Sequence, residues 1–138
     1  MTTFHYKTAC AGMCVAFLWG GVAAQAQAPD AAIVLPSQAQ VTLLDVITNI
    51  PGQGLTYRFR FLAPHIRGEI EYEIAAADMQ FLCDSYALPR LGTVGPVPKQ
   101  IVITMLDRPI PFGEISPEAI QFFEAYRPDT DYCEREDF

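Results

Sequence analysis

The sequence predicts an α+β domain: a mostly antiparallel β-sheet with one main helix packed on it, held by one disulfide. Three observations carry that expectation. Leu55 to Ala63 alternates with a two-residue period, Ile74 to Leu88 repeats at helical spacing, and Cys83 and Cys133 are the two cysteines left beyond a leader-like N-terminus. At 138 residues, with 51% hydrophobic and 18% charged residues, the composition is that of a folding chain of one domain. A formal charge of −7 argues against nucleic acid or an anionic membrane surface as a partner.

Residues 1–26 have the layout of a secretory signal peptide. Lys7 supplies the early positive charge, Ala9 to Ala24 is mostly apolar, and Ala24-Gln25-Ala26 fits the small-residue cleavage pattern. A cut before Gln27 keeps Pro29 away from the scissile bond, and the apolar run is short for a spanning helix, which needs roughly 20 residues. The expected product is periplasmic or secreted, with no membrane attachment after cleavage. It would keep 112 residues and a charge of −8. In an oxidising compartment Cys83 and Cys133 are expected to pair; a redox-active pair or two free thiols are the alternatives, and no C-x-x-C spacing favours the former.

The remaining elements follow in order. Residues 27–38 read as a flexible lead-in with a short edge strand at Ile33-Val34-Leu35, and residues 39–138 as the domain. Val41 to Ile50 is strand-like and stops at the turn signal Pro51-Gly52-Gln53-Gly54. In the next strand Leu55, Tyr57, Phe59 and Phe61 face one way, and Thr56, Arg58 and Arg60 the other. Glu69-Ile70-Glu71-Tyr72-Glu73 alternates again but soon gives way to a helical pattern; as a short strand it would form a hairpin with residues 55–63. A helix follows, with Ile74, Ala77, Phe81, Leu82, Ser85 and Leu88 on its apolar face, Asp78 and Asp84 near the opposite one, and Pro89 at its end. Ile101 to Leu106 reads as a buried central strand. Ser116-Pro117-Glu118 resembles a helix start, yet Ile120, Phe122 and Tyr126 alternate before the turn Pro128-Asp129-Thr130-Asp131, and the balance favours a final hairpin.

Catalytic sets are scarce. His65 is the one histidine beyond the leader and reads as a solvated loop residue, and no G-x-S-x-G or phosphate-binding glycine loop is present. No cofactor is expected. The acidic end offers Asp129, Asp131 and Glu134 as weak divalent-cation candidates without the spacing of an EF-hand. Arg58 and Arg60 share a strand face and are candidates for binding an anion; the ordinary expectation is cross-strand pairing, Arg60 with Glu71 and Arg58 with Glu73. Arg90, at the helix end, is a third candidate contact residue.

The run Gly54-Leu55-Thr56-Tyr57-Arg58-Phe59-Arg60-Phe61, with Asp78-Met79, Leu82-Cys83, Tyr86-Ala87-Leu88-Pro89-Arg90, Gln121 to Arg127 and the late Cys133, resembles a bacterial family of small exported proteins of unknown function. The resemblance implies an extracytoplasmic domain with two paired cysteines and no assigned activity. The resulting expectation is a non-enzymatic exported domain that acts through protein contacts as an accessory or assembly factor. An exposed apolar patch near Ile110-Pro111-Phe112-Gly113 or Ile115 would serve that role. The alternative is a small-ligand or divalent-cation binding protein.

Overall fold

The fold is seen in a computed structural model that describes residues 31–48, 50–52 and 54–137. The signal expected over residues 1–26 lies outside the described residues, as does the start of the lead-in. Six strands form one sheet in chain order: β1 (Ile33–Val34), β2 (Gln40–Ile47), β3 (Thr56–Leu62), β4 (Gln100–Leu106), β5 (Gln121–Pro128) and β6 (Cys133–Arg135). Four of the five pairings are antiparallel, and β3–β4 is parallel. A parallel pair cannot be joined by a tight turn. The chain between β3 and β4 therefore carries the helical part of the molecule, α1 (Tyr72–Leu82), which continues through further turns to α2 (Leu91–Val94). No helix among the described residues is long and apolar enough to cross a membrane.

The alternation of β3 is realised as read. Tyr57, Phe59 and Phe61 join Met79 and Leu82 of α1 and Ile101, Ile103 and Met105 of β4 in one buried cluster. β4 is central, and every residue from Ile101 to Leu106 is buried. Val102 and Leu106, on the other face, lie outside that cluster, at 4% and 1% exposure. Both faces of β4 are thus covered, one by α1 and the other by the chain after β4. At the far end of the crossover the backbone comes close to β3: a Cβ on Gly95 would sit 2.6 Å from the Tyr57 hydroxyl, which donates a 2.7 Å hydrogen bond to the Pro96 carbonyl.

Several expectations are corrected. Glu69 to Glu73 is no strand: Glu71 is the N-cap of α1 and Glu73 lies in its first turn, where a negative charge meets the positive end of the helix dipole. A five-residue alternation does not outweigh that preference. β3 consequently pairs with β2 and β4, and the arginine–glutamate pairing with residues 71 and 73 does not form. The buried stripe of the helix is offset by about one residue, running through Ala75, Asp78, Met79, Leu82 and Cys83, while Ile74 is 47% exposed. Asp78 can be buried because Ser37 satisfies both of its oxygens.

Pro89 does not end the helical path. Lacking an N–H, it changes the pitch: a π-turn over Cys83–Ala87 gives way to a 3-10 turn at Leu88–Arg90 and then to α2. Ser116-Pro117-Glu118 starts no helix, and the C-terminal segment is the favoured hairpin, β5 and β6. Cys83 and Cys133 form a disulfide across a separation of 50 residues. Two hydrogen bonds reinforce that junction, Cys133 N–H to Asp84 Oδ1 at 2.6 Å and Gln80 Nε2 to the Cys133 carbonyl at 2.8 Å.

Candidate functional site

The face of the sheet turned away from α1 carries the site. The pleat puts residues two apart on one side, so Arg58 and Arg60 project together, and the parallel register sets them beside Val102 and Thr104 of β4. Phe123 of β5 is registered with Thr104 from the other side. On β2, Asp45 stands opposite Arg60, next to an irregularity in register between Leu43 and Asp45.

A loop spanning residues 108–119 folds over this face. Its base is closed by Asp107, whose N–H donates to the Ile120 carbonyl and whose Oδ1 accepts from the Ile120 N–H, each at 3.0 Å. The Asp107 side chain is fully buried and also accepts from Arg108 at 2.8 Å and Arg67 at 3.2 Å. The Arg108 hydrogen bond, helped by Ile120 N–H and Arg67, holds its carboxyl below the ordinary aspartate range despite its burial. At the loop tip, Pro111–Glu114 is a turn closed by Glu114 N–H to the Pro111 carbonyl at 3.1 Å, with Gly113 at φ +87°. That left-handed position suits glycine and sets the direction in which Phe112 leaves the turn.

Phe112 lands over the arginines. Its ring centroid is 5.8 Å from Arg58 Cζ and 5.6 Å from Arg60 Cζ, within cation–π range. Arg60, 3% exposed, pairs with Asp45 at 2.7 Å and donates to the Ile110 carbonyl, tying the loop to β3. Between loop and sheet lies a groove of about 420 Å³, with Arg58, Arg60 and Thr104 among its lining residues and Phe112, Ile115 and Phe123 along it. Those three apolar side chains are 45%, 93% and 54% exposed. Arg58 has no ion-pair partner among the described residues. Burial, and next the neighbouring charge of Arg60, lower its pKa from the ordinary arginine value.

The other sequence-level candidates fall elsewhere. Arg90 lies outside the groove; it stacks 3.8 Å from the Tyr86 ring and donates to the Tyr86 carbonyl at 2.9 Å. Asp129 is engaged in the β5–β6 turn, where it accepts from Thr130 N–H at 2.6 Å, and Glu134 pairs with Arg127. No group of three His, Cys, Asp or Glu residues that could hold a metal occurs among the described residues, Asp131 included. His65 is not a solvated loop residue: both ring nitrogens are buried without a hydrogen-bond partner. Thr104, Asp45 and Asp107 were not legible as site residues, since nothing local distinguishes them; the loop that covers Thr104 is set by contacts far along the chain.

Residues 15–138 match the profile of a family of unknown function, DUF6497. The chain belongs to that family. No curated protein and no solved structure matches it. In this DUF6497 member a half-buried Arg58 and a buried Arg60 lie under an aromatic-tipped loop.

Proposed function

We propose that this DUF6497 member is an exported, non-enzymatic recognition domain that works through protein contacts at the loop-covered face of its sheet. One observation carries the reading. The exposed apolar side chains of Phe112, Ile115 and Phe123 border a single groove whose floor holds Arg58 and Arg60. Exposed apolar side chains gathered in one patch, with aromatic residues and arginine among them, are a common form of protein contact surface. Scattered exposed apolar residues would need no such explanation. The Cys83–Cys133 disulfide supports residence in a non-reducing compartment. The expectation of a small ligand is served by the same groove, because a 420 Å³ hollow with a cationic floor admits a small anion as well as part of a protein.

The test places a photo-crosslinking amino acid at position 115 of the full chain in its native host. A stoichiometric partner crosslinked there, and lost on Phe112→Ala, is the expected result. Crosslinking that is absent at position 115 but present at an exposed control such as Val97 overturns the assignment of this face.

A further inference from the structure

The groove has a donor set that the fold leaves unused. Arg60 is occupied on both sides, by the Asp45 carboxylate and by the Ile110 carbonyl. Arg58 is not. Its Nε is buried and without a hydrogen-bond partner, and no carboxylate pairs with it among the described residues. Thr104, at 4% exposure, lines the same groove with its Oγ1 buried and equally unpartnered. Buried polar atoms are rarely left unsatisfied, and a half-buried guanidinium with no counter-charge carries a desolvation cost that an arriving anion offsets. The Phe112 ring centroid lies 5.8 Å from Arg58 Cζ, and a guanidinium presents its N–H groups as a planar fork that a carboxylate matches in a bidentate way.

We propose that the groove floor is a carboxylate subsite, in which Arg58 and Thr104 receive the single negative charge of an apolar peptide of the partner. The inference rests on the reading of this face as a protein-recognition surface. A single charge is favoured because Arg60 is already neutralised by Asp45 and because Glu114 lines the same groove, opposing a second negative charge. An apolar ligand body is favoured because Ile110, Phe112, Ile115 and Phe123 border the floor. The net charge of −7 repels acidic ligands from the rest of the surface, so an acidic group gains only where the arginine is uncompensated.

The test follows the Arg58 Nε–Hε signal of the full chain in proton–nitrogen spectra. The probes are three peptides: N-acetyl-Ala-Leu-Phe with a free carboxylate, the same peptide as its amide, and N-acetyl-Leu-Glu-Leu-amide, with inorganic phosphate as a fourth arm. Saturable shifts of Arg58 Hε are expected with a carboxylate peptide and not with the Ala-Leu-Phe amide; the two acidic peptides tell a chain terminus from a side chain. Arg58→Gln weakens that binding about tenfold or more. Thr104→Val, which keeps the shape, weakens it less and guards against misfolding of the arginine variant. Equal binding of acid and amide at the groove overturns the carboxylate subsite and leaves the recognition face standing. Phosphate binding as tightly as the peptide overturns the single-charge assignment. Groove signals unmoved by every probe, together with no crosslinking from position 115, overturn both.

Discussion

Asp78 and Ser37 stand 41 residues apart and hold each other by two hydrogen bonds, Ser37 N–H to Oδ1 at 3.1 Å and Ser37 Oγ to Oδ2 at 2.6 Å. Asp78 is fully buried on α1, so this pair clamps the segment after β1 to the helix. Leu35, next to the clamp, is 1% exposed and belongs to the core. Asp78→Ala is expected to cost about 2–4 kcal/mol, since hydrogen bonds to a charged group are lost and a serine N–H is left open. Asp78→Asn should cost less. Urea titration would show a lower midpoint with an unchanged slope; a loss confined to residues 33–39 in hydrogen exchange would mean a local clamp only.

The Cys83–Cys133 bridge closes a loop of 50 residues and joins the helical crossover to the last strand. Loop-closure entropy puts its contribution at about 4 kcal/mol. Thermal unfolding with and without reductant measures it, and a melting point unmoved by complete reduction would show that the Gln80 and Asp84 hydrogen bonds suffice to hold that junction.

Asp107 makes stability depend on pH in the acid range. Its folded-state pKa is depressed, with the Arg108 hydrogen bond as the largest cause. A depressed carboxyl contributes stability above its unfolded pKa of about 4, and that contribution is lost as pH falls through the lower folded value. Stability is therefore expected to decline below about pH 4, and Asp107→Asn should flatten this acid limb. Because Asp107 also closes the loop base, the variant should raise hydrogen exchange at Ile120. An acid limb identical in both proteins would assign the decline to other carboxyls.

Gly113 tests whether the loop tip serves the groove or the fold. Its φ of +87° is costly for any residue with a Cβ, although open space surrounds that position. Gly113→Ala is expected to lower stability by only about 1 kcal/mol while displacing Phe112 from the arginines. The readout is the Arg58 Nε–Hε chemical shift, which should lose its ring-current contribution. An unchanged shift would show that Phe112 is placed by contacts beyond its turn.

Much of the sheet was legible because strand alternation is a local geometric rule. The pairing of Arg58 with Arg60 on one face, opposite Tyr57, Phe59 and Phe61, follows from the pleat alone. The misreadings cluster where a local pattern competes with a distant one. Glu69 to Glu73 alternates like a strand, yet its charges suit a helix start, and the crossover to β4 needs that helix. Asp78 reads as solvent-facing from its charge, and only Ser37, far along the chain, makes its burial affordable.

Which side chains share a face of β3, that β4 is buried, and which cysteines are available to pair all follow from local patterns in the chain. Tertiary structure alone decided that β3 neighbours β2 and β4, so that Asp45 meets Arg60 and no described carboxylate meets Arg58. It also decided that the loop after β4 folds back over those arginines. The physical reason is range. Alternation is set by successive backbone dihedrals, whereas strand neighbours and loop placement are set by which apolar faces must be covered together, and that depends on residues from 15 positions away, as for Asp45 and Arg60, to 50, as for Arg60 and Ile110.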